Sequence, residues 1–232
     1  MNLTHSDDPR LQPRYTLAEA SRYLWVNPET LRTWAKGRFY HAGGERRHAA
    51  PVLEEPRRSL LTFLDLMEAH VLAALRQTHQ VPMSKVRAAV TWLRDHFGSG
   101  HPLLHPDLAT DGLNIFIRDF GRLISASEHG QQIMRSVMEG YLSRMDRDRQ
   151  GVPVHFFPFT RRPGDLSTPK LIVLNPSISF GRPVVAGTRI PTSIIIERFA
   201  AGEDPDALAA DYTLDLEAVH EALRSQYDRK AA

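Results

Sequence analysis

Residues 180–192 read FGRPVVAGTRIPT. Gly181 and Gly187 suit backbone that must turn through positive φ or pass close to another segment. Pro183 and Pro191 hold φ at about −65° and push Arg182 and Ile190 toward extended conformations. The stretch therefore reads as a shaped loop with short extended runs rather than a helix. Directly after it, Thr192 is placed to cap a helix whose apolar face begins at Ile194, Ile195 and Ile196. An ordinary strand–turn–helix junction would share this grammar, so the surrounding chain has to decide.

Downstream, the spacing predicts three short helices. The first spans 192–201 and stops at Gly202; Pro205 starts the second, which runs to Asp211. Asp215 caps the third, through Leu216, Val219 and Leu223 to about Tyr227. Upstream stand Asn175, Pro176 and Ile178. The combined pattern is N-P-x-I-x-F-G-R-P-V-x-x-G-T-R-I-P-T, followed by Ala201-Gly202, Asp204-Pro205 and Asp211-Tyr212. It resembles the small helical domain of VapB-type antitoxins. That resemblance implies an antitoxin encoded beside a PIN-like ribonuclease toxin, with the toxin from the adjacent gene as partner. The expected toxin contacts are Arg182, Thr188, Arg189, Glu217 and Glu221. An acidic helical face would cover the basic surface that a ribonuclease offers to RNA, and arginine pairs well with carboxylates.

At the other end, Thr16 and Glu19 form a T-x-x-E capping box, with Leu17, Ala20, Tyr23 and Leu24 on one helical face. Asn27 caps a second helix with Pro28 at its first position, and Gly37 stops it. Two short helices joined by a tight turn make a helix-turn-helix unit, although any tight helical pair would share the pattern. Thr30, Arg32, Thr33 and Lys36 point away from Leu31 and Trp34 and can donate to phosphates or base edges. The Gly43-Gly44 turn between short segments reads as a hairpin, placing Arg38, Arg46, Arg47 and His48 beside that helix. Residues 15–58 resemble the winged helix-turn-helix of the MerR and excisionase group. The run that carries the likeness is Tyr15, Thr16, Leu17, Ala18, Glu19, Ala20, Tyr23, Leu24, Val26, Thr30, Leu31, Arg32 and Trp34. Operator DNA is the partner this likeness implies, and Thr30, Arg32, Thr33, Lys36, Arg38, Arg46, Arg47 and His48 are the DNA-binding candidates.

Charge divides the chain in the same sense. Residues 28–58 hold seven basic side chains against four acidic ones, whereas residues 193–232 hold four against nine. The front favours a polyanion and the rear repels it. A rear helix carrying Glu217 and Glu221 is thus a poor candidate for the major groove.

Between the ends, residues 59–79 form the most periodic segment, with Leu60, Leu64, Met67, Val71 and Leu75 in a wide stripe. It reads either as core or as the partner face of a homodimer. Ser84 is placed to cap a helix through Val86, Val90, Leu93 and Phe97. His101 and His105 are four apart, but the intervening prolines deny them a helical face, and no metal site is expected. A β-hairpin is expected over 113–126 and a helix over 131–149, with Arg144, Arg147 and Arg149 in its last turn. Residues 151–158 and 170–174 are extended candidates, with an exposed linker over 161–168.

The chain has 232 residues, 42% of them hydrophobic and 24% charged, with a net charge of +2, which is ordinary for a soluble globular protein. It contains no cysteine, so disulfides and thiolate metal sites are unavailable. No apolar run reaches membrane-spanning length and residues 1–9 lack a signal core, so a cytoplasmic protein without membrane contact is expected. None of the common nucleotide, hydrolase or metalloprotease motifs is present; no catalytic residue and no cofactor is assigned, and the chain is not expected to be an enzyme. The predicted fold is mainly α with small β hairpins. A flexible tail (1–14) precedes an N-terminal winged helix-turn-helix (15–58) and a central helical dimerisation region with a hairpin (59–150). An extended segment and linker (151–170) then lead to a C-terminal three-helix domain (171–232). The functional expectation is an antitoxin that represses its own operon. The alternative is a stand-alone regulator whose C-terminal domain binds an effector or DNA.

Overall fold

The computed structural model describes residues 8–53, 60–77, 82–109 and 128–227. The hairpin expected over 113–126 lies outside them. Strand β1 (Tyr15–Thr16) leads into α1 (Leu17–Leu24), whose capping box is complete: Glu19 N–H bonds Thr16 Oγ1 while Glu19 Oε2 accepts from Thr16 N–H. Trp25, in the left-handed region, ends α1, and Asn27 caps α2 (Pro28–Lys36) through the Glu29 N–H. Strands β2 (Arg38–Ala42) and β3 (Glu45–Ala49) form the expected hairpin, pairing antiparallel around Gly43-Gly44, both at positive φ as in a primed turn. The chain then returns to α2, where Val52 N–H bonds the carbonyl of buried Trp34 at 2.8 Å.

Strand β4 (Leu60–Leu61) pairs with β1 and starts α3 (Phe63–Gln77). Each of residues 63–75 is buried, so α3 is the axis of the core. Of the two readings of its stripe, core is the one observed; α3 leaves no face for a second copy. Helix α4 (Met83–Phe97) starts from Pro82, without a side-chain cap, because Pro82 O accepts from Lys85 and Val86; Ser84 lies inside the first turn instead. His101 and His105 do separate work. His101 Nδ1 lies 3.3 Å from buried Glu68, and the His105 ring stacks on Phe97.

Helix α5 (Glu128–Leu142) ends seven residues before the expected 149, and β5 (Met145–Arg147) and β6 (Pro153–Phe156) follow as a hairpin. The cause is Arg144. It is 1% exposed and donates to the carbonyls of Phe157, Phe159 and Thr168, a set that no helical continuation could reach. Residues 161–164 are exposed as expected of a linker, but Thr168 is buried and anchors the end of the segment. Residues 8–14 are not tail-like. Pro9–Leu11 form a 3-10 turn, Arg10 pairs with Asp8 and Asp148, and Arg14 N–H bonds Leu61 O.

At the C-terminal end, β7 (Ile172–Val173) pairs with β8 (Val184–Val185), and Phe156 and Leu174 exchange backbone hydrogen bonds that join β6 to this sheet. Helices α6 (Thr192–Ala200), α7 (Pro205–Tyr212) and α8 (Leu216–Tyr227) follow, with α8 packed against α6 and α7. Thr192 is buried inside α6 rather than capping it. One contiguous apolar cluster runs from Tyr15 to Leu223, so the first and last helices share a core. Among the described residues, no helix is long and apolar enough to cross a membrane.

Candidate nucleic-acid and partner-binding surfaces

The front surface is built on α2 and the β2–β3 hairpin. Leu31, Trp34 and Ala35 bury one side of α2, which turns Arg32 and Lys36 to solvent and leaves Thr30 and Thr33 half-buried. The Thr33 hydroxyl donates to Glu29 O at 2.9 Å, so it faces a ligand as an acceptor rather than as the expected donor. Arg32 and Arg47 lean toward Glu29 and Glu45 at 3.5 and 3.6 Å. Exposed pairs of that kind are weak and exchange readily for phosphate.

In the hairpin, register places Phe39 opposite His48 and His41 opposite Arg46. The Phe39 ring, 61% exposed, carries the Arg46 guanidinium at 4.1 Å and the His48 ring at 4.6 Å. Arg38 lies 6.0 Å from the Tyr40 ring centroid. An exposed aromatic under an arginine gains little for the fold, but it suits a surface that meets a stacked or charged partner.

A groove between α2, the hairpin and the α3–α4 pair gathers Thr30, Thr33, Arg38, Tyr40 and His48 with Arg76, Ser84 and Arg87. Burial, and after it the nearby Arg38 charge, pushes the Arg87 guanidinium down from its usual range. Its Nη1 is buried with no hydrogen-bond partner among the described residues. Crowded like charges with desolvated donors favour an anion in the groove. Arg76 and Arg87 escaped the sequence reading because they lie on helices that read as packing elements, far from the helix-turn-helix in sequence.

The rear surface is differently made. Arg182 and Arg189 are exposed, whereas Thr188 closes its own turn: its hydroxyl donates to Val185 O and accepts from Ile190 N–H. Glu221 is 7% exposed and is held by Arg161 and Arg224, each at 2.7 Å, so it belongs to the fold rather than to an open contact face. Glu217 is exposed and shares Arg161 at 3.0 Å. Arg198 likewise binds Glu203 and Asp211 and lies over the Tyr212 ring. Much of the acidic excess is thus balanced within the chain, while Glu197, Asp206 and Asp215 stand exposed. Phe180, part of the motif but not among the expected toxin contacts, is 84% exposed beside Arg182.

The comparisons with known proteins follow the same division. A family described as "Putative DNA-binding HTH domain" matches residues 13–90, and one described as "Protein of unknown function (DUF433)" matches residues 172–224. The crystal structure of Rv2018 from Mycobacterium tuberculosis superimposes with a TM-score of 0.66 at 26% identity, covering 91% of this chain and 97% of that one. The uncharacterised protein Rv2308 of the same organism is 27% identical over 90% of this chain and 88% of its own length. A third M. tuberculosis protein, named "Putative antitoxin VapB45", is 31% identical over 91% of this chain and 92% of its own length. With likeness to a named antitoxin running almost from end to end, the chain belongs to the VapB family of antitoxins.

Proposed function

We propose that this antitoxin works with its two ends on different partners. The winged helix-turn-helix of residues 15–58 holds the operator of its own operon, through Thr30, Arg32, Thr33, Lys36, Arg38, Arg46, Arg47 and His48. Arg76 and Arg87 extend that surface. The domain of residues 171–232 binds and silences a PIN-like ribonuclease encoded by the adjacent gene, with Arg182 and Arg189 turned toward the nuclease's carboxylates. Residues 59–150 form the helical centre between them. Operator palindromes are ordinarily read by dimers, and a homodimer of this chain would use a surface other than α3, which its own core consumes.

The observation that carries the reading is the cationic groove at the front, which gathers Arg38, Arg76 and Arg87, in contrast to a rear whose helices are acidic. A polyanion is drawn to the first and turned away by the second. The test mixes the full chain with the adjacent gene's product. Co-elution, loss of ribonuclease activity and salt-dependent binding to the upstream DNA are expected together. A complex that leaves the nuclease fully active contradicts the neutralising role. Operator binding that survives loss of the front arginines returns the stand-alone regulator, with the C-terminal domain reading DNA.

A further inference from the structure

Phe180 is the most exposed large hydrophobic side chain among the described residues. Its backbone is left-handed (φ 55°), as are those of Ser179 before it (φ 47°) and Gly181 after it (φ 77°). Only glycine adopts that region without steric cost, so two non-glycine residues in succession must be held there by their surroundings. The surroundings are visible. Gly181 N–H bonds Ile178 O at 2.9 Å and Arg182 N–H bonds Ser179 O at 3.1 Å. From the front of the chain, Tyr15 Oη donates to Gly181 O at 2.9 Å and Arg14 donates to Pro176 O at 2.8 Å.

The loop is therefore fixed at both shoulders while its aromatic ring stands in water. Packing does not explain this, since the ring gains nothing from the fold and the backbone conformation disfavours its side chain. A rigid projecting aromatic beside an arginine has the composition of an interface hot spot, and its pre-organisation lowers the ordering cost of binding. Beside it lies an open trough of about 620 Å³, bounded by Pro9, Pro13, Arg14, Tyr15 and Tyr23, which would receive a projection from the same partner.

We infer that Phe180 is the anchor by which this chain grips its toxin, inserting into an apolar pocket of the nuclease while Arg182 meets carboxylates on the pocket's rim. The inference rests on the antitoxin reading above and adds an aromatic anchor to the loop that carries Arg182 and Arg189. An aromatic wedge can also enter a DNA base step. The nine acidic residues against four basic ones in residues 193–232 disfavour duplex DNA at this end and favour a protein.

The experiment titrates the full-length chain, as wild type, Phe180→Ala and Phe180→Gly, against the adjacent gene's product and separately against operator DNA. Both variants should bind the toxin at least about thirtyfold more weakly, the loss typical of a hot-spot truncation. Operator affinity should be unchanged. Phe180→Gly should also raise the melting temperature of the free chain, because glycine relieves the left-handed backbone. Toxin binding by Phe180→Ala within about threefold of wild type, well short of a hot-spot loss, overturns the inference and leaves the antitoxin reading standing. So does a loss of operator affinity with toxin binding intact. If wild type itself does not bind the toxin, the broader reading falls and this one with it.

Discussion

Tyr15 Oη donates a 2.9 Å hydrogen bond to the carbonyl of Gly181, joining residues 166 positions apart. The phenol is buried, and burial pushes its pKa up, so it is a donor at every physiological pH. Gly181 sits at φ 77°, and a Cβ there would meet the hydroxyl at 2.5 Å. The first strand of the helix-turn-helix and the loop before the C-terminal helices are thereby fitted to each other.

Tyr15→Phe should cost about 1–2 kcal/mol in urea unfolding, since a buried carbonyl loses its donor. Gly181→Ala should cost more, about 2–4 kcal/mol, from the clash and the positive φ together. The double variant should cost less than the sum, because phenylalanine removes the atom that the new methyl strikes. Strict additivity would mean that the contact does not hold these elements together.

Arg144 supports the join between the hairpin and the C-terminal sheet. Three carbonyls depend on its guanidinium, and burial pushes that group's pKa down. Arg144→Met should destabilise by about 3–5 kcal/mol, as unsatisfied buried acceptors accumulate. Arg144→Lys should rescue little, because an ammonium cannot span the same fork. Thermal unfolding by circular dichroism measures both; a lysine variant as stable as wild type would show that charge alone, not the fork, is required.

His70 predicts an acid-side loss of stability. Its ring packs against Tyr141 and Phe156, and burial, with Arg144 adding to it, pushes the imidazole from its ordinary 6.5 to about 3. Between those values the unfolded chain holds the extra proton. Stability from this group is therefore complete above 6.5 and falls as pH drops below it, by about 1.4 kcal/mol per pH unit. Glu68 acts in the opposite sense, since burial raises its pKa and the native state keeps its proton longer. Subtracting the stability curve of His70→Phe from that of wild type isolates the histidine. The difference should slope below pH 6.5 and be flat above it; a difference flat throughout would mean that His70 is protonated in the native state.

Arg87 offers a check on the groove that spacing alone did not reveal. Arg87→Gln should weaken operator binding and reduce the slope of log affinity against log salt by about one, the signature of one lost phosphate contact. An unchanged slope, measured by fluorescence anisotropy across a salt series, removes Arg87 from the interface.

What the sequence disclosed was what local chemistry dictates. The Thr16–Glu19 box, Asn27 before Pro28 and the Gly43-Gly44 turn each specify their own few residues, and all appear as read. The C-terminal helices were equally legible from Gly202, Pro205 and Asp215. Features set by distant partners were hidden. Arg144 read as the charged end of a helix because its three acceptors lie 13 to 24 residues downstream. Glu221 read as an open acid because Arg161 comes from a segment that looked like a linker. Phe180 read as one apolar letter in a motif, since its exposure follows from a backbone conformation that composition does not encode.

The most direct measurement compares two charge-reversed full-length variants, Arg46→Glu/Arg47→Glu and Arg182→Glu/Arg189→Glu, in parallel titrations with operator DNA and with the adjacent gene's product. The account predicts a clean exchange: the first variant loses operator affinity by more than about tenfold and still binds the toxin, while the second does the reverse. Operator affinity that survives at the first pair and vanishes at the second would place DNA at the rear of the molecule and contradict the account.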